Sequence, residues 1–137
     1  MSQHARSMRL EDVDVVIPPE HLGPQFSGAP VVRLAAAALG TDQVDVNAVY
    51  FEAGGRNQPH AHTHDQILLY LEGRGVVALD GGDDQIVEAG EIVLLPGGVP
   101  HMHGATADGP AMHLSIMRDT DVDWECPIPD SWSKWRR

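Results

Sequence analysis

The sequence predicts an all-β fold, an antiparallel sandwich or closed barrel, on three observations. Apolar runs of four to eight residues recur between positions 44 and 117, each bounded by Gly, Asp or Pro turns. No helical period intervenes between them. Aromatics make up only 5% of a chain that is 42% hydrophobic, so branched aliphatics suited to pleated strands carry the core.

Taken in order, residues 1–43 form an N-terminal arm with a possible edge strand. IPPEHLGPQFSGAP (17–30) carries four prolines that break regular structure. Val31 to Leu39 (VVRLAAAAL) reads as a strand or a short helix, since the alanine run favours helix while Gly40 and the neighbouring strands do not. VDVNAVYF (44–51) alternates as a strand, and AGGR (53–56) is a turn. QILLYLE (66–72) is a strand closed by Gly73. The stretch from Arg74 to Asp80 leads into GGDD (81–84), a hairpin signal. IVLL (92–95) is stopped by PGGVP, and AMHLSIM (111–117) is the last clear strand. Residues 118–137 read as a tail or short helix (DSWSKW, capped by Asp130 or Ser131) that packs on the barrel or on a second subunit.

The chain's 137 residues suit one domain, with 44–117 as its barrel. A net charge of −11, with only nine basic residues, disfavours nucleic acid and anionic membrane surfaces as partners. The single Cys126 excludes an intramolecular disulfide and a cysteine-based zinc site. The N-terminal residues lack a signal-peptide apolar run, and no stretch approaches membrane-span length, so a cytoplasmic location is expected.

Six of the eight histidines fall between positions 60 and 113. In an extended chain, residues two apart face the same side, so His60 and His62 project together, and Gln66 shares their parity if the strand continues. His101 and His103 repeat the pattern. A lone histidine on a strand is ordinarily a surface or core residue, but two HxH pairs, each following a Gly/Pro turn, point to a transition-metal site.

Gly54, His60, His62, Gln66 and Gly73 stand at the positions of G(X)5HXH(X)3,4E(X)6G, and Gly90, Pro96, Gly98 and His101 at those of G(X)5PXG(X)2H(X)3N. The sequence thus resembles the cupin superfamily over residues 54–105, extended by flanking strands to about 44–117. That resemblance implies a jelly-roll-like antiparallel barrel (a double-stranded β-helix) of six to eight strands, open at one end. It implies His60, His62 and His101 as imidazole ligands of one divalent transition metal per chain, Mn, Fe, Ni or Zn, with Mn or Fe preferred. It also implies a homodimer. Two positions depart from the family: Gln66 replaces its glutamate and Ala105 its asparagine. Gln66 either ligates through its amide oxygen or only hydrogen-bonds nearby. Without the anionic ligand the ion keeps its full charge, a stronger Lewis acid that favours an anionic substrate or hydroxide.

The pieces His101-Met102-His103-Gly104-Ala105, Met112-His113-Leu114 and Val122-Asp123-Trp124 are also similar to small bacterial cupins with hydroxynitrile lyase activity, which implies His103 and His113 as acid/base groups. His113 reads equally as a buried, hydrogen-bonded histidine. His64 is expected at the rim, Tyr70 in the core and Arg56 in solvent or as a cation at the pocket mouth. No nucleophilic role is assigned to Ser115 or Cys126. The expected function is metal-dependent chemistry on a small organic molecule, either a lyase or isomerase with a histidine base, or a dioxygenase. The competing class is a non-enzymatic metal-containing sensor.

Overall fold

The computed structural model describes residues 4–16, 26–27, 30–119 and 121–136. The Pro-rich stretch 17–25 lies outside the described residues. The elements are β1 (Val15–Val16), β2 (Phe26–Ser27), β3 (Val31–Leu34), α1 (Ala35–Ala38), β4 (Asp45–Phe51), β5 (Arg56–Asn57), β6 (Gln66–Glu72), β7 (Arg74–Leu79), β8 (Gln85–Glu88), β9 (Ile92–Leu95), β10 (His101–Ala105) and β11 (Ala111–Met117). A 3-10 turn, Leu10–Asp12, precedes them and a 3-10 helix, Asp130–Trp135, follows.

They form two antiparallel sheets, one in the order β1-β3-β4-β11-β6-β9 and the other β2-β5-β10-β7-β8. Alternation decides the inner face. On β6, Gln66, Leu68 and Tyr70 are buried while Ile67 and Leu69 are only half-buried. On β11, His113, Ser115 and Met117 are buried, and Leu114 and Ile116 are half-buried. The core joins Phe51, Leu68 and Tyr70 of the first sheet to Val77, Val87 and Ala105 of the second. Tyr70 is a core residue, its hydroxyl donating to the Gly104 carbonyl at 2.9 Å.

The Val31–Leu39 ambiguity resolves into both elements. Branched Val31 and Val32 extend the sheet through β4, and the alanines then make one helical turn that ends at Gly40, φ +85°. Gly73 makes the β6–β7 turn at φ +72°, where a Cβ would sit 2.1 Å from the Pro110 carbonyl oxygen.

The C-terminal segment packs on the barrel. Trp132 is buried against Ala78 and Met102, and its indole N–H donates to the Gly82 carbonyl at 3.2 Å. Pro129 occupies the N-cap with no side-chain cap bond. Ser131, one of the two expected caps, instead donates to the Gly81 carbonyl at 3.3 Å. Among the described residues no helix is long and apolar enough to cross a membrane.

Candidate functional site

His60 and His101 approach because their backbones pair directly: the His60 N–H donates to the His101 carbonyl at 3.1 Å and the His101 N–H to the His60 carbonyl at 2.8 Å. The ring centroids of His60, His62 and His101 lie 4.4 to 5.2 Å apart. Each of these rings uses Nδ1 toward a backbone carbonyl: His60 to Gln58 at 2.9 Å, His101 to Val99 at 3.1 Å, and His62 to Asp121. A carbonyl only accepts, so Nδ1 carries the proton and Nε2 is left as a lone pair. The Nε2 atoms of His62 and His101 are buried and have no hydrogen-bond partner.

Gln66 arrives by a different route from the one its spacing suggests. The strand does not continue from His62, because Thr63 and His64 form a bend and β6 begins at Gln66. The side chain nevertheless lines the same cavity as His60 and His62. Its Nε2 donates to Ser115 Oγ at 2.8 Å, which leaves a buried Oε1 with no partner. Burying an unsatisfied polar atom costs about 1–3 kcal/mol. The buried, partnerless acceptors of His62, His101 and Gln66 are atoms of the kind that could hold a cation.

His103 is also close: ligand-capable nitrogens of His60, His101 and His103 lie within 4.8 Å of one another, so this triad could hold a metal ion. His103 differs from His62 in having partners for both nitrogens. Its Nδ1 lies 3.0 Å from His113 Nε2, and its Nε2 lies 3.3 Å from the Asn57 amide nitrogen. Asn57 Oδ1 accepts from the His103 backbone N–H at 3.0 Å, fixing that amide from both ends. His62 falls outside that 4.8 Å group, but its buried Nε2 has no hydrogen-bond partner.

Burial pushes the His60 and His103 rings well below the ordinary histidine range, with the neighbouring His101 and His113 adding to the effect respectively. Burial likewise lowers His101 to about 4 and His113 to about 4. These four rings are neutral at pH 7, with lone pairs available to accept.

The cavity of about 170 Å³ is lined on its apolar side by Val32, Val49, Met117, Val122 and Trp124, and among the described residues no Lys or Arg lines it. Arg56 is not the cation at its mouth. It is buried beneath the outer side of the five-stranded sheet, paired with both Asp84 oxygens at 3.1 Å and lying 4.2 Å over the Trp135 ring. The reason is a better partner: a carboxylate and an aromatic face together repay the desolvation of a guanidinium. The two carboxylates that do line the cavity, Asp45 and Asp121, also weigh against the anionic substrate expected from the neutral ligand set. His64, expected at the rim, is not among the residues lining the cavity; its partly exposed ring lies 3.7 Å from Asp119.

The description "Cupin domain" matches residues 47–117, more than half of the chain. The chain belongs to the cupin family. This cupin is 34% identical over 86 residues to an (R)-mandelonitrile lyase of Granulicella tundricola, a match covering 61% of this chain and 66%, just under two thirds, of that one. It is similar in structure to a cupin-like protein of Thermotoga maritima, with a TM-score of 0.67 and 28% identity over 80% of this chain and 86% of that one. The polyketide cyclase RemF of Streptomyces resistomycificus shares the fold, with a TM-score of 0.76 at 21% identity over 94% and 91%.

Sequence reasoning brought His60, His62, Gln66, His101, His103 and His113 forward; five of them line one cavity, and His101 stands beside it with its ring 4.4 Å from that of His60. Asn57, Ser115 in its orienting role, and Asp121 were not visible. Ser115 shares strand parity with His113, which is the one signal that could have flagged it.

Proposed function

We propose that this cupin is a metal-dependent lyase acting on a small uncharged organic molecule. The reading is carried by the buried, partnerless acceptors of His62, His101 and Gln66, set beside a neutral His103–His113 pair. His60, His62 and His101 would hold the ion through Nε2, and Gln66 through Oε1. When bound there, a divalent ion supplies Lewis acidity toward a substrate oxygen or leaving group.

The protein's own groups supply the rest. Burial keeps His103 and His113 unprotonated, so one ring accepts the substrate's proton. With their nitrogens 3.0 Å apart, the proton can pass between the rings and His113 can hold it. Asn57 fixes the His103 ring during that exchange. For an α-hydroxynitrile, the class suggested by the curated relative's name, the hydroxyl proton moves to the histidine pair and the adjacent carbon–carbon bond breaks. The carbonyl forms, and the departing cyanide recovers the proton. Valine, methionine and tryptophan walls favour an apolar substituent, and the lack of a lining cation among the described residues weighs against phosphates and carboxylates.

Metal content and aldehyde release from mandelonitrile test this together. Protein loaded with Mn, Fe, Ni or Zn should release benzaldehyde, and chelator should stop it. His101→Ala should abolish metal binding, whereas His113→Ala should retain the metal and lose turnover. If no stoichiometric metal is retained and adding these ions changes neither spectra nor melting, the proposal fails.

A further inference from the structure

The strand β11 ends at Met117, and so does the match to the family domain. The chain then returns across the cavity. Ala61 and Asp123 pair as an antiparallel bridge, with N···O distances of 3.1 and 2.8 Å, which lays residues 121–124 alongside His60 and His62.

We propose that this segment is a positioning strap for the metal site, in which Asp121 sets the working nitrogen of His62 while Val122 and Trp124 form the cavity's outer wall. The inference rests on the proposed metal-dependent function. The Asp121 carbonyl accepts the His62 Nδ1–H, which leaves the buried His62 Nε2 as the nitrogen with a free lone pair. The carbonyl is itself held in place, because the Asp121 carboxylate accepts from the Thr63 backbone N–H at 3.1 Å and from the Thr63 hydroxyl. Strap and ligand segment are thus tied at three successive levels: residues 61 with 123, 62 with 121, and 63 with 121.

The wall is thin. A second cavity of about 330 Å³ lies behind it, and His62, Asp121 and Val122 line both spaces. On the inner side, the Trp124 ring lies 4.6 Å from that of His60. Side chains at 122 and 124 therefore decide how far a bound molecule extends. Outer hydrogen bonds to ligating histidines typically carry 10–100-fold in metal affinity, and His62 takes its bond from outside the family domain.

The test compares Asp121→Ala with Asp121→Asn, which keeps an acceptor for Thr63. In wild type, 15N spectra should show His62 protonated at Nδ1. Asp121→Ala should give mixed tautomers and weaken cobalt binding about 10-fold or more, while Asp121→Asn restores both at an unchanged melting temperature. For the wall, cobalt-loaded wild type should prefer imidazole over benzimidazole, and Trp124→Ala should narrow that preference about 10-fold. An Asp121→Ala protein that keeps the Nδ1–H form and wild-type cobalt affinity overturns the positioning role. An unchanged preference in Trp124→Ala overturns the wall. If wild type binds no cobalt, the proposed function fails, while the His62 tautomer still decides the strap.

Discussion

Acid should destabilise the metal-free protein in a window set by its buried histidines. His101 and His113 are lowered to about 4 from the ordinary 6.5, and His60 and His103 shift in the same direction. In the unfolded chain these rings take up protons near pH 6.5, while in the folded protein they stay neutral. The unfolded state therefore binds more protons between about pH 4 and 6.5, and stability is lost as pH falls through that range. Each ring contributes a slope approaching ~1.4 kcal/mol per pH unit, and His101 and His113 alone lose about 3 kcal/mol each by pH 4. His60 and His103, shifted the same way, steepen that loss further, against a typical domain stability of about 5–15 kcal/mol. Urea unfolding in the presence of chelator, at pH 7, 6 and 5, reads this directly. The interval above pH 5 largely separates histidines from carboxylates, and reducing the net charge of −11 would work in the opposite direction. His113→Asn should lower the slope by about one ring's share, ~1.4 kcal/mol per unit. Equal unfolding midpoints at pH 7 and pH 5 would refute the reasoning.

Three other outcomes are expected. Gln66→Glu buries a carboxylate among neutral rings, so the metal-free variant should lose stability relative to wild type as pH rises above ~4.3; the same variant should bind a divalent ion more tightly, measured by chelator competition. Tyr70→Phe removes the 2.9 Å bond to the Gly104 carbonyl and should cost about 1–1.5 kcal/mol in urea unfolding with metal affinity unchanged. Gly73→Ala places a Cβ 2.1 Å from the Pro110 carbonyl oxygen at φ +72°, so melting should fall by the equivalent of at least ~2 kcal/mol.

Much of the fold could be read along the chain because strand signals are local. Alternation in QILLYLE and AMHLSIM marks β6 and β11 at their observed ends, and Gly73 marks the turn between β6 and β7. The parity of His60 and His62 likewise survives, since an extended backbone of three residues fixes it. Parity failed as the reason for Gln66, because the bend at Thr63–His64 interrupts the strand, and the residue reaches the cavity on β6 instead.

What the sequence by itself determined is therefore the β architecture and the histidine set, both products of short-range spacing. Only the tertiary structure decided which atoms meet. His103 on β10 and His113 on β11 belong to different sheets, yet their nitrogens lie 3.0 Å apart. Ser115 orients Gln66 from 49 residues away, Asp84 draws Arg56 out of the cavity, and Asp121 fixes His62 across 59 residues. Covalent geometry sets which face a side chain takes within a strand; the partner across sheets, and hence the nitrogen that carries the proton, follows from how the sheets and the returning strap pack.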